Sequence, residues 1–111
     1  LKIKEDKEEV YKRVDLVKTL NYLIGLEVAQ ITTYNSQDRK YKAVVGNNQE
    51  DKKVLVVWRN TKELDLEQDK EFIEEEIIVE EEFDKIYINQ DNYIAEARLI
   101  EKKFSQLLFA E

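Results

Sequence analysis

Lys53-Val54-Leu55-Val56-Val57-Trp58-Arg59 is the stretch that decides the fold. Five apolar residues follow one another without a polar interruption, and the run stops abruptly at a charge. A strand with one wet face alternates apolar and polar residues, whereas an unbroken apolar run suits a central strand covered on both faces. The sequence around it supplies the covers. Upstream, Lys40 to Gly46 alternates Tyr41, Ala43 and Val45 against Lys42 and Val44, which reads as a second strand, and Gly46-Asn47-Asn48 turns the chain into the central run. Further upstream, Leu26 to Tyr34 reads as a strand through Thr32 and Thr33, with Asn35-Ser36-Gln37-Asp38 as its turn. Before it, Glu5 to Ile24 carries Val10, Val14, Val17 and Ile24 at helical spacing, and Gly25 stands where a helix stops.

Downstream, Asp65 or Thr61 can cap a helix from Leu66 to Val79 whose apolar side is Leu66, Phe72, Ile73 and Ile77. Ile86-Tyr87-Ile88 centres a strand from Lys85 to Asn89, and Asn89-Gln90-Asp91-Asn92 is turn chemistry. Ile100 to Ala110 closes the chain as a helix that buries Phe104, Leu107 and Leu108. The expected architecture is therefore a single α/β (α+β) domain of order α-β-β-β-α-β-α. Its sheet is mixed and four-stranded, with a right-handed parallel β-α-β unit near the C-terminus. In this arrangement the ring of Trp58 is expected to pack under the crossover helix near Phe72 and Ile73.

Composition narrows the chemistry. The 111 residues contain no cysteine and no histidine, which removes disulfides, thiolate sites, cysteine nucleophiles and the commonest general base. There is no apolar run of membrane-spanning length and no signal-peptide pattern, so a cytoplasmic protein without a membrane partner is expected. The chain opens at Leu1 and contains no methionine, as expected of a piece of a longer protein. Residues 67–84 hold ten carboxylates against one lysine, a local charge of −9. The remaining 93 residues therefore carry about +2 of the net −7. Such a chain repels nucleic-acid backbones wherever its acidic segment lies, and no dense basic cluster offsets this in the sequence.

Three features could carry function. Glu74-Glu75-Glu76 and Glu80-Glu81-Glu82 could hold a hard cation, but they lack the tight glycine-turn loop of such a site and read as a solvated helix face. Asp38 before the second strand, with Asp51-Lys52-Lys53 before the third, imitates the acids and lysine of a PD-(D/E)xK nuclease. They fall in turns rather than mid-strand, which favours exposed turn charges. The third feature is the edge where parallel strands three and four end, the usual ligand edge of open α/β sheets. Arg59-Asn60-Thr61 and Asn89-Gln90-Asp91-Asn92 meet there above Trp58. Trp58, Arg59, Asn60, Asn89 and Asp91 are thus the candidate interface with a partner. The alternative is internal: Arg59 pairs with Asp91 and the amides close their own turns. No residues stand out as catalytic, cofactor-binding or metal-binding.

Several of these residues also carry a resemblance. Leu20-Asn21-Tyr22-Leu23-Ile24-Gly25-Leu26-Glu27-Val28 resembles a stretch near the C-terminus of type III restriction–modification DNA methyltransferases. Val56-Val57-Trp58-Arg59-Asn60-Thr61 is similar to that family's strand end, with Asn60 where aspartate is usual. Asp69-Lys70-Glu71-Phe72-Ile73 resembles its following helix. Tyr87-Ile88-Asn89-Gln90-Asp91 resembles a further stretch, with Gln90 where the family has glycine. Phe104 and Leu107-Leu108-Phe109-Ala110 are similar to the closing tail. The resemblance implies an S-adenosylmethionine-dependent adenine-N6 methyltransferase as the parent, whose catalytic Asp-Pro-Pro-Tyr and cofactor Phe-x-Gly-x-Gly motifs lie upstream of this region. This chain has no proline, and its two glycines are Gly25 and Gly46, so neither motif is present and no cofactor is expected on it. The implied role is a non-catalytic C-terminal domain for assembly. Its partners would be the parent's other domains, a second modification subunit and the helicase–nuclease restriction subunit, with DNA reached only through the parent. A stand-alone acidic adaptor and a degenerate nuclease are the alternatives.

Overall fold

A computed structural model describes residues 16–109. The first helix, α1, covers 16–23 among these; Val10, Val14 and Ala110, which the sequence places on helices, lie outside the described residues. The strands are β1 (Glu27–Ser36), β2 (Arg39–Asn47), β3 (Lys53–Trp58), β4 (Lys85–Ile88) and β5 (Ala97–Leu99), with α2 (Leu66–Phe72) between β3 and β4 and α3 (Ile100–Phe109) at the end. The five strands form one sheet in chain order. β1, β2 and β3 are antiparallel neighbours, while β3–β4 and β4–β5 are parallel. The mixed sheet and the parallel β3-α2-β4 unit agree with the sequence reading, but the sheet has five strands where four were expected. The addition, Ala97-Arg98-Leu99, is too short to show a period of two.

The apolar run of β3 is buried on both sides, as its sequence requires. Leu55 and Val57 point to one face and join Tyr41, Ala43, Ile73, Ile77, Ile86, Ile88 and Ile94. Val54, Val56 and Trp58 point to the other and join Val17, Leu20, Val44, Tyr87 and Ile100. The sheet is therefore the middle layer, with α2 on one face and α1 and α3 on the other. This corrects the expected position of Trp58. In a strand, alternate residues share a face, so Val57 is the residue on the side of Ile73, and Trp58 lies on the opposite side with α1 and α3.

The acidic helix is not uniform. Asp65 caps α2, its carboxylate accepting from the backbone N–H groups of Glu67 and Gln68. After Phe72 the helix widens into a π-helical turn over Ile73–Ile78, ended by Val79, whose N–H bonds the Glu74 carbonyl at 2.9 Å. Ile73 and Ile77 stay on the sheet while Glu74, Glu75 and Glu76 face solvent. Val79 takes φ 54°, a conformation costly for a β-branched residue, and stands exposed where the chain leaves the helix.

Candidate functional site

The site begins with the last bonds of the parallel ladder. The Asn89 N–H donates to the Val57 carbonyl at 3.2 Å. Beyond that point the Asn89 side chain takes over. Its Oδ1 accepts from the Arg59 N–H at 2.9 Å and its Nδ2 donates to the Arg59 carbonyl at 2.7 Å, so one amide side chain satisfies both backbone polar groups of Arg59 after β3 has ended. These bonds turn Arg59 inward, where it is 0% exposed.

A buried guanidinium must place five N–H donors. Nε and one terminal nitrogen fork onto the Asp69 carboxylate at 3.1 and 2.9 Å. The other terminal nitrogen donates to the Asn89 carbonyl and, at 3.2 Å, to Asn89 Oδ1. The last donor reaches the Asp91 carbonyl at 2.8 Å. Asp69, also 0% exposed, comes from the middle of α2 and accepts a further bond of 2.6 Å from the Tyr41 hydroxyl on β2. The cluster therefore ties β2, β3, α2 and the segment after β4 into one unit. A bidentate ion pair with every donor used is the arrangement in which buried charge is tolerated.

The five sequence candidates consequently divide. Trp58, Arg59 and Asn89 are buried and cannot meet a partner in the folded chain. Arg59 is paired internally, though with Asp69 rather than with the Asp91 side chain; Asp91 contributes only its carbonyl and keeps an exposed side chain. Asn60 is exposed, and its own atoms close the loop: Oδ1 accepts from the Lys62 N–H at 2.8 Å and its carbonyl accepts from Arg39 at 2.5 Å. At this edge the Arg59 side chain is buried and bonded to Asp69, Asn89 and Asp91. Sequence reasoning missed Asp69 and Tyr41. Asp69 was hidden among ten carboxylates, yet it stands four residues before Ile73 and eight before Ile77, which places it on the apolar side of its helix.

Burial, then the hydrogen bond to Asp69 and the charge of that carboxylate, hold the Tyr41 hydroxyl far above its ordinary value near 10. The folded state thus favours the neutral phenol. The contribution to stability is complete below about pH 10, where the unfolded chain would begin to ionise, and is lost as pH rises above it. In an alkaline titration followed by tyrosine absorbance, the Tyr41 hydroxyl should ionise only as the fold gives way. Tyr41→Phe should abolish that delayed step; an unchanged step would assign it to another tyrosine.

Elsewhere the acids are dispersed. Asp38 and Asp51, the acids of the nuclease reading, sit at φ 58° and 62° in the turns before and after β2. A nine-residue strand separates them by roughly 30 Å, so they cannot share one metal ion. No group of three metal-ligating side chains converges among the described residues. On the acidic face, Glu81 pairs with Lys53 at 2.6 Å and Asp84 accepts from the Lys53 N–H at 2.8 Å, fastening the start of β4 to β3. No helix among the described residues is long and apolar enough to cross a membrane.

Fold and site together define a three-layer mixed α/β domain locked by a buried arginine at the carboxyl ends of its parallel strands. Comparison with family models, curated proteins and solved structures returns no match to the chain.

Proposed function

We propose that the chain is the non-catalytic C-terminal domain of a type III modification methyltransferase, serving subunit assembly. One observation carries the reading: three of the five stretches that resemble the family supply the parts of a single buried cluster. Val56–Thr61 brings Arg59, Asp69–Ile73 brings Asp69, and Tyr87–Asp91 brings Asn89 and the Asp91 carbonyl. Residues remote in sequence are thus mutually required, which is the reason to read the stretches as one pattern rather than as separate coincidences. The departure at Gln90 fits as well. It stands at φ 63°, the left-handed region that glycine enters freely, and glycine is what the family pattern has there. The polar groups at the sheet edge are engaged in holding the domain together, which leaves the outer surfaces for partners.

The test is the coding frame around this chain. An Asp-Pro-Pro-Tyr motif or its Asn or Phe variants upstream in the same frame is the expected result, and a frame without one would sink the family reading. The nuclease alternative is tested with plasmid DNA and Mg²⁺ or Mn²⁺. Cleavage abolished by Asp38→Ala or Asp51→Ala would overturn the geometry argued above; intact plasmid is expected.

A further inference from the structure

Arg98 pairs with Tyr87 across the parallel β4–β5 ladder, and residues paired in register share a face of the sheet. Tyr87 belongs to the face that α1 and α3 cover, so Arg98 stands on that face beside α3. Ile100 and Phe104 hold α3 to the sheet, which leaves Lys102, Lys103 and Gln106, at helical spacing, along its flank. Strand and helix together enclose a cavity of about 360 Å³ lined by Arg98, Leu99, Lys102, Lys103 and Gln106, with Tyr87, 2% exposed, beneath them. That volume is within the range of small-molecule sites. The lining carries charge of one sign. No carboxylate lines the cavity among the described residues, and none of its three cations forms an ion pair with a described residue. Glu101, next to Lys102 in sequence, is held on the Gln90 N–H at 2.9 Å. The Lys103 ammonium lies 6.0 Å from the centre of the Tyr87 ring, at the junction with a second cavity towards α1. That second cavity adds Lys85 but also Glu50, so its charge is balanced and the first cavity's is not.

We propose that this cleft binds a small anion carrying two linked phosphates. Three like charges gathered around one cavity repel each other, and an anion seated among them relieves that repulsion. Arg98 brings a planar fork from the strand, while Lys102 and Lys103 bring point charges from the helix. A carboxylate offers two oxygens in one plane. A diphosphate offers oxygens in several directions and enough charge to match three cations. Charge also selects a short ligand over a long one. The acidic helix with Glu74, Glu75 and Glu76 packs on the other face of the sheet. Layers stack about 10 Å apart, beyond a Debye length of about 8 Å at physiological salt. An anion confined to the cleft is therefore screened from those carboxylates, whereas a nucleic acid long enough to reach round the domain is repelled by them. The inference goes beyond the assembly reading and does not depend on it.

Titration of the 111-residue chain with sodium pyrophosphate, followed by amide chemical shifts, tests it. Saturating shifts are expected at Tyr87, Arg98, Lys102 and Lys103, and none at Lys40 or Lys42 on β2. Arg98→Gln and Lys102→Gln, both at exposed positions, should each weaken binding by roughly tenfold while the melting temperature stays put. Lys70→Gln, exposed on α2, should leave the affinity unchanged. Shifts that never saturate, or that spread equally to Lys40 and Lys42, would reduce the effect to surface attraction and overturn the proposal. Orthophosphate binding as tightly as pyrophosphate would remove the second phosphate, and citrate binding as tightly would remove phosphate altogether. A single-stranded oligonucleotide binding the same residues more tightly than pyrophosphate would replace the small ligand with nucleic acid.

Discussion

Arg59→Ala is expected to unfold the domain or leave it barely folded. The substitution strands the Asp69 carboxylate, 0% exposed, without its counter-charge, and leaves the Asn89 and Asp91 carbonyls without their donors. Breaking a buried ion pair by removing one partner commonly costs about 3–5 kcal/mol. A domain of this size has roughly 5–15 kcal/mol in all. The melting temperature should fall by roughly 15 °C or more. Arg59→Lys should not rescue it. An ammonium has three donors and no planar fork, so it cannot meet Asp69 bidentately and still reach both carbonyls. A double-mutant cycle with Asp69→Ala should show strong coupling, since the second loss removes the stranded charge. An Arg59→Ala protein that melts within a few degrees of the parent chain would place the guanidinium in solvent.

Trp58→Ala should be comparably damaging for a different reason. The ring lies with Val17 and Leu20 of α1, Ile100 of α3, and Val44, Val56 and Tyr87 of the sheet. Truncating a buried tryptophan commonly costs about 3–5 kcal/mol through lost burial and the cavity left behind. Because Trp58 faces α1 and α3, the damage should be read there. Amides of α3 should lose hydrogen-exchange protection at lower denaturant than those of α2, which rests on the other face. Trp58→Phe separates size from polarity. The indole Nε1 is buried with no hydrogen-bond partner among the described residues. Its removal therefore offsets part of the lost volume, and Trp58→Phe is expected to cost less than Trp58→Ala. If α2 rather than α3 loosens in Trp58→Ala, the ring has been assigned to the wrong face.

The sequence disclosed the layers more readily than the site. Five consecutive apolar residues in β3 imply cover on both faces, and that property belongs to the strand itself. Which residue faces which helix depends on the phase of a two-residue period, and the phase was misassigned at Trp58. Arg59 was legible as an end point and ambiguous as a group. An arginine following a buried strand can point either way, and the choice was made by residues 10 and 30 positions downstream. Asp69 could have been found from its spacing to Ile73 and Ile77, but ten carboxylates in eighteen residues masked it. β5 left no signal because three residues joined directly to a helix are too few to show a period. The basic cleft could be read only once the strand order was known, since β5 is the element that brings Arg98 beside Tyr87 and α3.

The central structural claim is that Arg59 and Asn89 hold the parallel edge together from within rather than greeting a partner. Hydrogen exchange of their side-chain N–H groups, followed by NMR, tests it most directly. The Arg59 Nε–H and the Asn89 amide should persist far longer than those of an exposed side chain such as Arg98, and should exchange together with the amides of β3. Exchange of the Arg59 Nε–H as fast as that of Arg98, in a chain whose β3 amides remain protected, would contradict the claim and restore Arg59 to the surface.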